Sequence, residues 1–77
     1  MLAEHDRIVL TEDLRDGRLK GGDVGTIVHV HRDGEAFEVE FLALDGNTAA
    51  VATVPASRLR SVTANDLTHA RMLKKVG

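Results

Sequence analysis

Val24 to Phe41 reads VGTIVHVHRDGEAFEVEF, and the alternation on either side of Asp33-Gly34 decides the fold. Asp-Gly is the dipeptide expected of a two-residue type I′ hairpin turn, because both turn positions need a positive φ. Closing the hairpin there sets Arg32 opposite Glu35 and pairs Val30 with Phe37, Val28 with Val39 and Thr26 with Phe41. On the second strand Phe37, Val39 and Phe41 alternate with Glu38 and Glu40, so a slip of one residue would bury both glutamates unpaired. On the first strand Val24, Thr26, Val28 and Val30 share one face, and Gly25, Ile27, His29 and His31 share the other. The larger apolar count assigns the valine face to the core and leaves Ile27, His29 and His31 looking outward.

Working outward, Gly21-Gly22 and Gly25 punctuate the entry to this hairpin and predict a sharp turn followed by a kink or bulge. Arg7 to Leu10 is a short β-prone run, and Thr11 to Gly22 is a long irregular loop rich in Asp, Gly and charge. Beyond the hairpin a turn at Asp45-Gly46-Asn47 leads into Thr48 to Val54, which ends at Pro55 because proline has no donor for a ladder. Ala56-Ser57-Arg58 suits one tight helical turn, and Leu59 to Val62 a last short strand. From Thr63 the pattern changes. Thr63, Asn65 and Asp66 offer N-cap chemistry, Leu67, Ala70 and Leu73 recur at helical spacing, and Arg71, Lys74 and Lys75 sit where the helix dipole favours cations. A short helix from about Asp66 to Lys75 is expected. Being marginal alone, it needs a surface for Leu67 and Leu73, either its own sheet or a neighbouring subunit.

The chain has 77 residues, net charge −2 and no cysteine. It is one domain at most, and so short a chain buries a small share of its surface, which makes self-association plausible. Disulfides and thiolate metal sites are excluded, which suits a reducing cytoplasm. No apolar run approaches the ~20 residues of a membrane span, and no secretory leader is recognisable, so a soluble, cytoplasmic protein is expected. The pI of about 6.0 weighs against phosphate-backbone binding, whose domains run above about 9. Basic residues nevertheless gather late, at Arg58, Arg60, Arg71, Lys74 and Lys75.

Five strands with a long first loop, a central hairpin and a helical turn before the last strand describe a small all-β fold of the SH3-like barrel type. Residues 1–62 would form the barrel and residues 63–77 a C-terminal helical tail. Lys20-Gly21-Gly22-Asp23-Val24-Gly25-Thr26-Ile27 resembles the Kyrpides-Ouzounis-Woese motif of ribosomal and transcription-elongation proteins, which opens the second strand of such barrels. Glu4 to Leu10, Leu19 to Val30, Glu35 to Phe41, Asp45-Gly46 and Arg58-Leu59-Arg60 together resemble a family of small bacterial proteins known as domain of unknown function 4926. That resemblance implies the fold and a bacterial source, and brings no activity with it.

Candidate chemistry is sparse. His29 and His31 lie about 6 to 7 Å apart on one strand face with Glu38 opposite His29, so a metal site with Glu40 nearby can be drawn. A solvated His and Glu pair explains the same residues without a second shell, and no metal is assigned. Ser57 and Ser61 stand in no strained elbow, Glu38 and Glu40 share one environment and so cannot divide acid and base roles, and no G-K-[ST] follows the glycines. The chain is therefore expected to be no enzyme and to need no cofactor. With no Tyr or Trp it lacks the platforms for polyproline and for stacked bases.

What remains is an interaction module, a homo-oligomer or a protein-docking domain, whose candidate surface is Ile27, His29, His31, Leu42, Leu67 and Leu73, with Val51 beside them. A nucleic-acid accessory role through Lys20, Arg58 and Arg60 is the alternative. A small neutralising partner of a bacterial toxin is a further one.

Overall fold

A computed structural model describes residues 2–15 and 17–73. Five strands, β1 (Arg7–Leu10), β2 (Val24–His31), β3 (Ala36–Leu42), β4 (Thr48–Pro55) and β5 (Leu59–Ser61), form one antiparallel sheet in the order β4-β3-β2-β1-β5. Each expected strand is present, and the tight turn before the last one is a 3-10 turn, Ala56–Arg58. The sheet is open, however, and not the closed barrel expected. β4 and β5 are its two edges. Pro55 ends β4, and the pairing of the three-residue β5 is taken up by β1, through Ile8 with Ser61, Val9 with Arg60 and Leu10 with Leu59. No strand is left to bridge the edges among the described residues.

The hairpin turn keeps the expected register but is one pair longer. Val30 pairs with Phe37 and His31 with Ala36, while Arg32, Asp33 and Gly34 all take positive φ (46°, 58° and 102°). The register then shifts between Ile27 and His29, so that Ile27 pairs with Val39 and Thr26 with Glu40. Val28 is the extra residue of a β-bulge, and the bulge exchanges the two faces of the first half of β2. The expected core face is therefore wrong for that half. Ile27 is fully buried, whereas Val24 and Val28 are 41% and 40% exposed. The exchange places the larger hydrophobe inside, a gain of about 0.8 kcal/mol for its additional CH₂, and it brings Gly25 to the interior.

The core joins Ile8, Leu10, Leu19, Ile27, Phe37, Val39, Phe41, Val54 and Leu59, with both phenylalanines placed as their alternation requires. The glycine-rich loop is tied to the strand ends. Gly22, at φ 96°, donates its N–H to the Leu10 carbonyl (2.8 Å), and Leu10 donates to the Asp23 carbonyl (2.9 Å).

The expected helix does not form. Asp66 to Leu73 are irregular, and Lys74 and Lys75 lie outside the described residues. The capping residues are the right type with different partners. Asp66 accepts the Thr63 backbone N–H (2.7 Å) and both terminal nitrogens of Arg60 (2.7 and 3.0 Å), so its carboxylate faces back to β5 and caps nothing ahead of it. Farther on, Arg71 Nε donates to Asp23 Oδ1 (2.8 Å) and its Nη2 to the Arg18 carbonyl (2.7 Å) and to Asp23 Oδ2. Leu73 packs against the core. These ties across the sheet replace the hydrogen bonds of a helix too short to hold itself.

Candidate docking surface

The tail and the sheet together form a cleft of about 590 Å³. Val24 at the start of β2, Leu42 at the end of β3 and Leu44 in the turn beyond it line one side, and Leu67 and Leu73 of the tail line the other. Leu42, Leu44 and Leu67 are 48%, 79% and 88% exposed. These leucines line one cleft and are not scattered singly, and grouped exposed apolar side chains are what interaction surfaces show.

Leu42, Leu67 and Leu73, expected on one surface, are thus brought together. Leu73 differs from the other two in being half-buried against the core. Ile27 is withdrawn into the interior. His29 and His31 lie elsewhere on the outer face, their rings edge to face at 4.7 Å. His31 Nε2 is 3.1 Å from Glu38 Oε2, and Thr53 Oγ1 donates to the same oxygen (2.9 Å). The hydrogen bond from His31, then that from Thr53, holds the Glu38 carboxyl below the usual carboxylate range against a smaller effect of burial. Among the described residues no three His, Asp or Glu side chains are arranged to hold a metal ion.

The candidate nucleic-acid contacts are each paired with a carboxylate. Lys20 faces Asp13 at 3.8 Å, Arg58 faces Glu12 at 2.9 Å and Arg60 faces Asp66 at 2.7 Å. Their charge is offset locally, which weakens the pull each would exert on a phosphate.

Two features escape the sequence reading. Leu44 and Val24 join the apolar lining, Leu44 by standing beside the Asp45-Gly46 turn and Val24 because of the bulge. The staple between Arg71 and Asp23 forms part of the cleft's lining. Burial raises the Asp23 carboxyl, but the hydrogen bonds from Arg71 and from the Lys20 N–H, with the charges of both residues, outweigh it and leave the group below its usual value.

A family model described as Domain of unknown function (DUF4926) matches residues 4–61. That span holds all five strands and stops short of the tail. No curated protein and no solved structure matches the chain.

Proposed function

Because the chain belongs to the DUF4926 family, whose span leaves the tail outside it, we propose that it is a non-enzymatic docking module: an opened SH3-like sheet to which the tail adds one wall of a protein-binding cleft. The strand order, the long first loop and the 3-10 turn before β5 support the SH3-like description. The observation that carries the function is the apolar cleft itself, with Leu42, Leu44 and Leu67 open to solvent on its two walls. Its chemistry suits an apolar side chain of a protein partner, inserted between tail and sheet beside the Asp23 and Arg71 pair. Burying apolar surface contributes about 25 cal/mol per Å², and Leu42 and Leu44 offer that surface without disturbing the core.

Affinity capture from the native host, comparing the chain with its Leu42→Glu/Leu44→Glu variant, tests the reading. A protein retained by the first and lost by the second, with an unchanged thermal melt, is the expected result. Equal capture by both refutes the cleft. Binding of either to RNA or DNA at low salt, weakening steeply as salt rises, would favour the nucleic-acid role instead.

A further inference from the structure

The two edges of the sheet are defended very differently. β5 has three residues, carries Arg60 and is tied to Asp66. Short edges and edge charges are the ordinary devices that stop one sheet from pairing with another. β4 has eight residues, Thr48–Pro55, with sequence TAAVATVP and no charge, and among the described residues nothing pairs with its outer side. Its irregularities lie at its ends. The register with β3 shifts between Phe41 and Leu42, which pair with Ala50 and Thr48 and leave Ala49 unmatched, and Pro55 closes the strand. Between them Ala50 to Val54 pair with β3 without interruption.

We propose that β4 pairs antiparallel with β4 of a second copy of this chain, about a two-fold axis at Ala52, joining two open sheets into one. The inference rests on the sheet edge and not on the cleft, so each of the two can fail without the other. Facing residues in an antiparallel ladder share a sheet face, and centring on Ala52 matches the whole uninterrupted run. Ala50 then meets Val54 of the second copy, Val51 meets Thr53, and Ala52 meets itself. Ala50 and Ala52 are half-buried and Val54 fully buried on the core side, so the core continues across the join through small side chains. Val51, 55% exposed, gains a β-branched partner on the outer face, the kind of cross-strand pair that stabilises sheets.

Charge does not oppose the match. The nearest acids on that face, Glu38 and Glu40, belong to β3, opposite Thr53 and Val51. Across the join Glu38 would stand about three strand spacings, some 14 Å, from Glu40 of the second copy, beyond the ~8 Å screening length at physiological salt. A second copy suits this edge because the strand is apolar, uncharged and complementary to itself, as a two-fold interface requires.

Light scattering of the full chain from about 1 µM to about 1 mM reads the outcome. The mass should rise from 8.3 kDa toward twice that value. Val51→Lys/Thr53→Lys should stay monomeric throughout, since each new lysine would oppose a lysine of the second copy. Its fold is protected, because positions 51 and 53 face Glu40 and Glu38 on β3. In a chain without cysteine, Ala52→Cys should form a disulfide-linked dimer on mild oxidation and Thr48→Cys should not, because only position 52 meets itself within disulfide reach. A monomer at every concentration overturns the proposal, as does a dimer that survives the double lysine substitution. If that variant fails to fold, the cysteine pair decides: equal cross-linking at both positions, or none, is a refutation.

Discussion

A Cβ added to Gly25 would stand 2.4 Å from Val39 Cγ1 and 3.0 Å from both the Glu40 carbonyl oxygen and Phe41 Cδ1. Nothing comparable surrounds Gly46, whose only demand is its φ of 92°. Gly25→Ala should therefore destabilise the chain by about 1–3 kcal/mol through overpacking, and Gly46→Ala by about 1–2 kcal/mol through the left-handed conformation alone. Urea denaturation that finds Gly25→Ala neutral would place Gly25 outside the core. Ile27 and Val28 supply the companion test. Ile27→Ala should cost about 2–5 kcal/mol and Val28→Ala under about 1 kcal/mol, whereas the uninterrupted alternation requires the reverse order. Phe37, Val39 and Phe41 were legible because glutamates flank them and burying those is prohibitive. Ile27 was not, because counting apolar residues along β2 assumes one register for the whole strand. The clue was Gly25. On an outward face a strand glycine serves only to bend the chain, whereas on the inward face it is the residue that lets Val39 and Phe41 close over it.

At the scale of elements, the tail shows how residues of the right chemistry acquire other partners. Thr63, Asp66 and Arg71 suited the two ends of a helix, yet Asp66 turned back six residues to Arg60 and Arg71 reached Asp23, 48 residues away, and neither contact follows from helical periodicity. The Arg71 and Asp23 staple makes docking of the tail sensitive to acid. The folded Asp23 carboxyl lies below its ordinary value of 3.8. Its contribution is therefore fully present above that pH and is lost as pH falls through the lower folded value. Asp66 is depressed as well, chiefly by the hydrogen bond from Arg60, then by the Thr63 N–H, so both anchors of the tail weaken in the same direction. NMR of the Leu73 methyl groups, followed from about pH 6 to about pH 2, should report undocking below about pH 4. Arg71→Ala should undock the same methyls at neutral pH, at a cost near the ~1 kcal/mol of a surface pair, with the β-sheet resonances unmoved. Methyl shifts that ignore both acid and Arg71→Ala would show that Leu73 is held by packing alone.

For the molecule as a whole, strand number, the central hairpin and the turns follow from local signals: Asp33-Gly34, Asp45-Gly46-Asn47, Pro55 and the alternation between them. Closure does not, because whether β4 meets β5 depends on strand length and sheet twist, which no single residue encodes. An open sheet leaves β4 unpaired, and a 77-residue chain has little stability in reserve. Pairing through β4 joins these two facts. If the folded chain dimerises and the unfolded chain does not, association stabilises the fold by mass action, and the melting temperature must rise with protein concentration. Once dimer dominates, each tenfold rise in concentration adds about 1.4 kcal/mol per mole of dimer, or about 0.7 kcal/mol for each chain. For a domain of this size that corresponds to a shift of roughly 3–6 °C. Melts followed by circular dichroism across three decades of concentration should show this slope. They should show none for Val51→Lys/Thr53→Lys, whose melting temperature should equal that of the unsubstituted chain at its most dilute. A melting temperature independent of concentration would show that the open edge stays solvated in the folded chain, and that the core beneath Phe37 and Phe41 holds the sheet without help from a second copy.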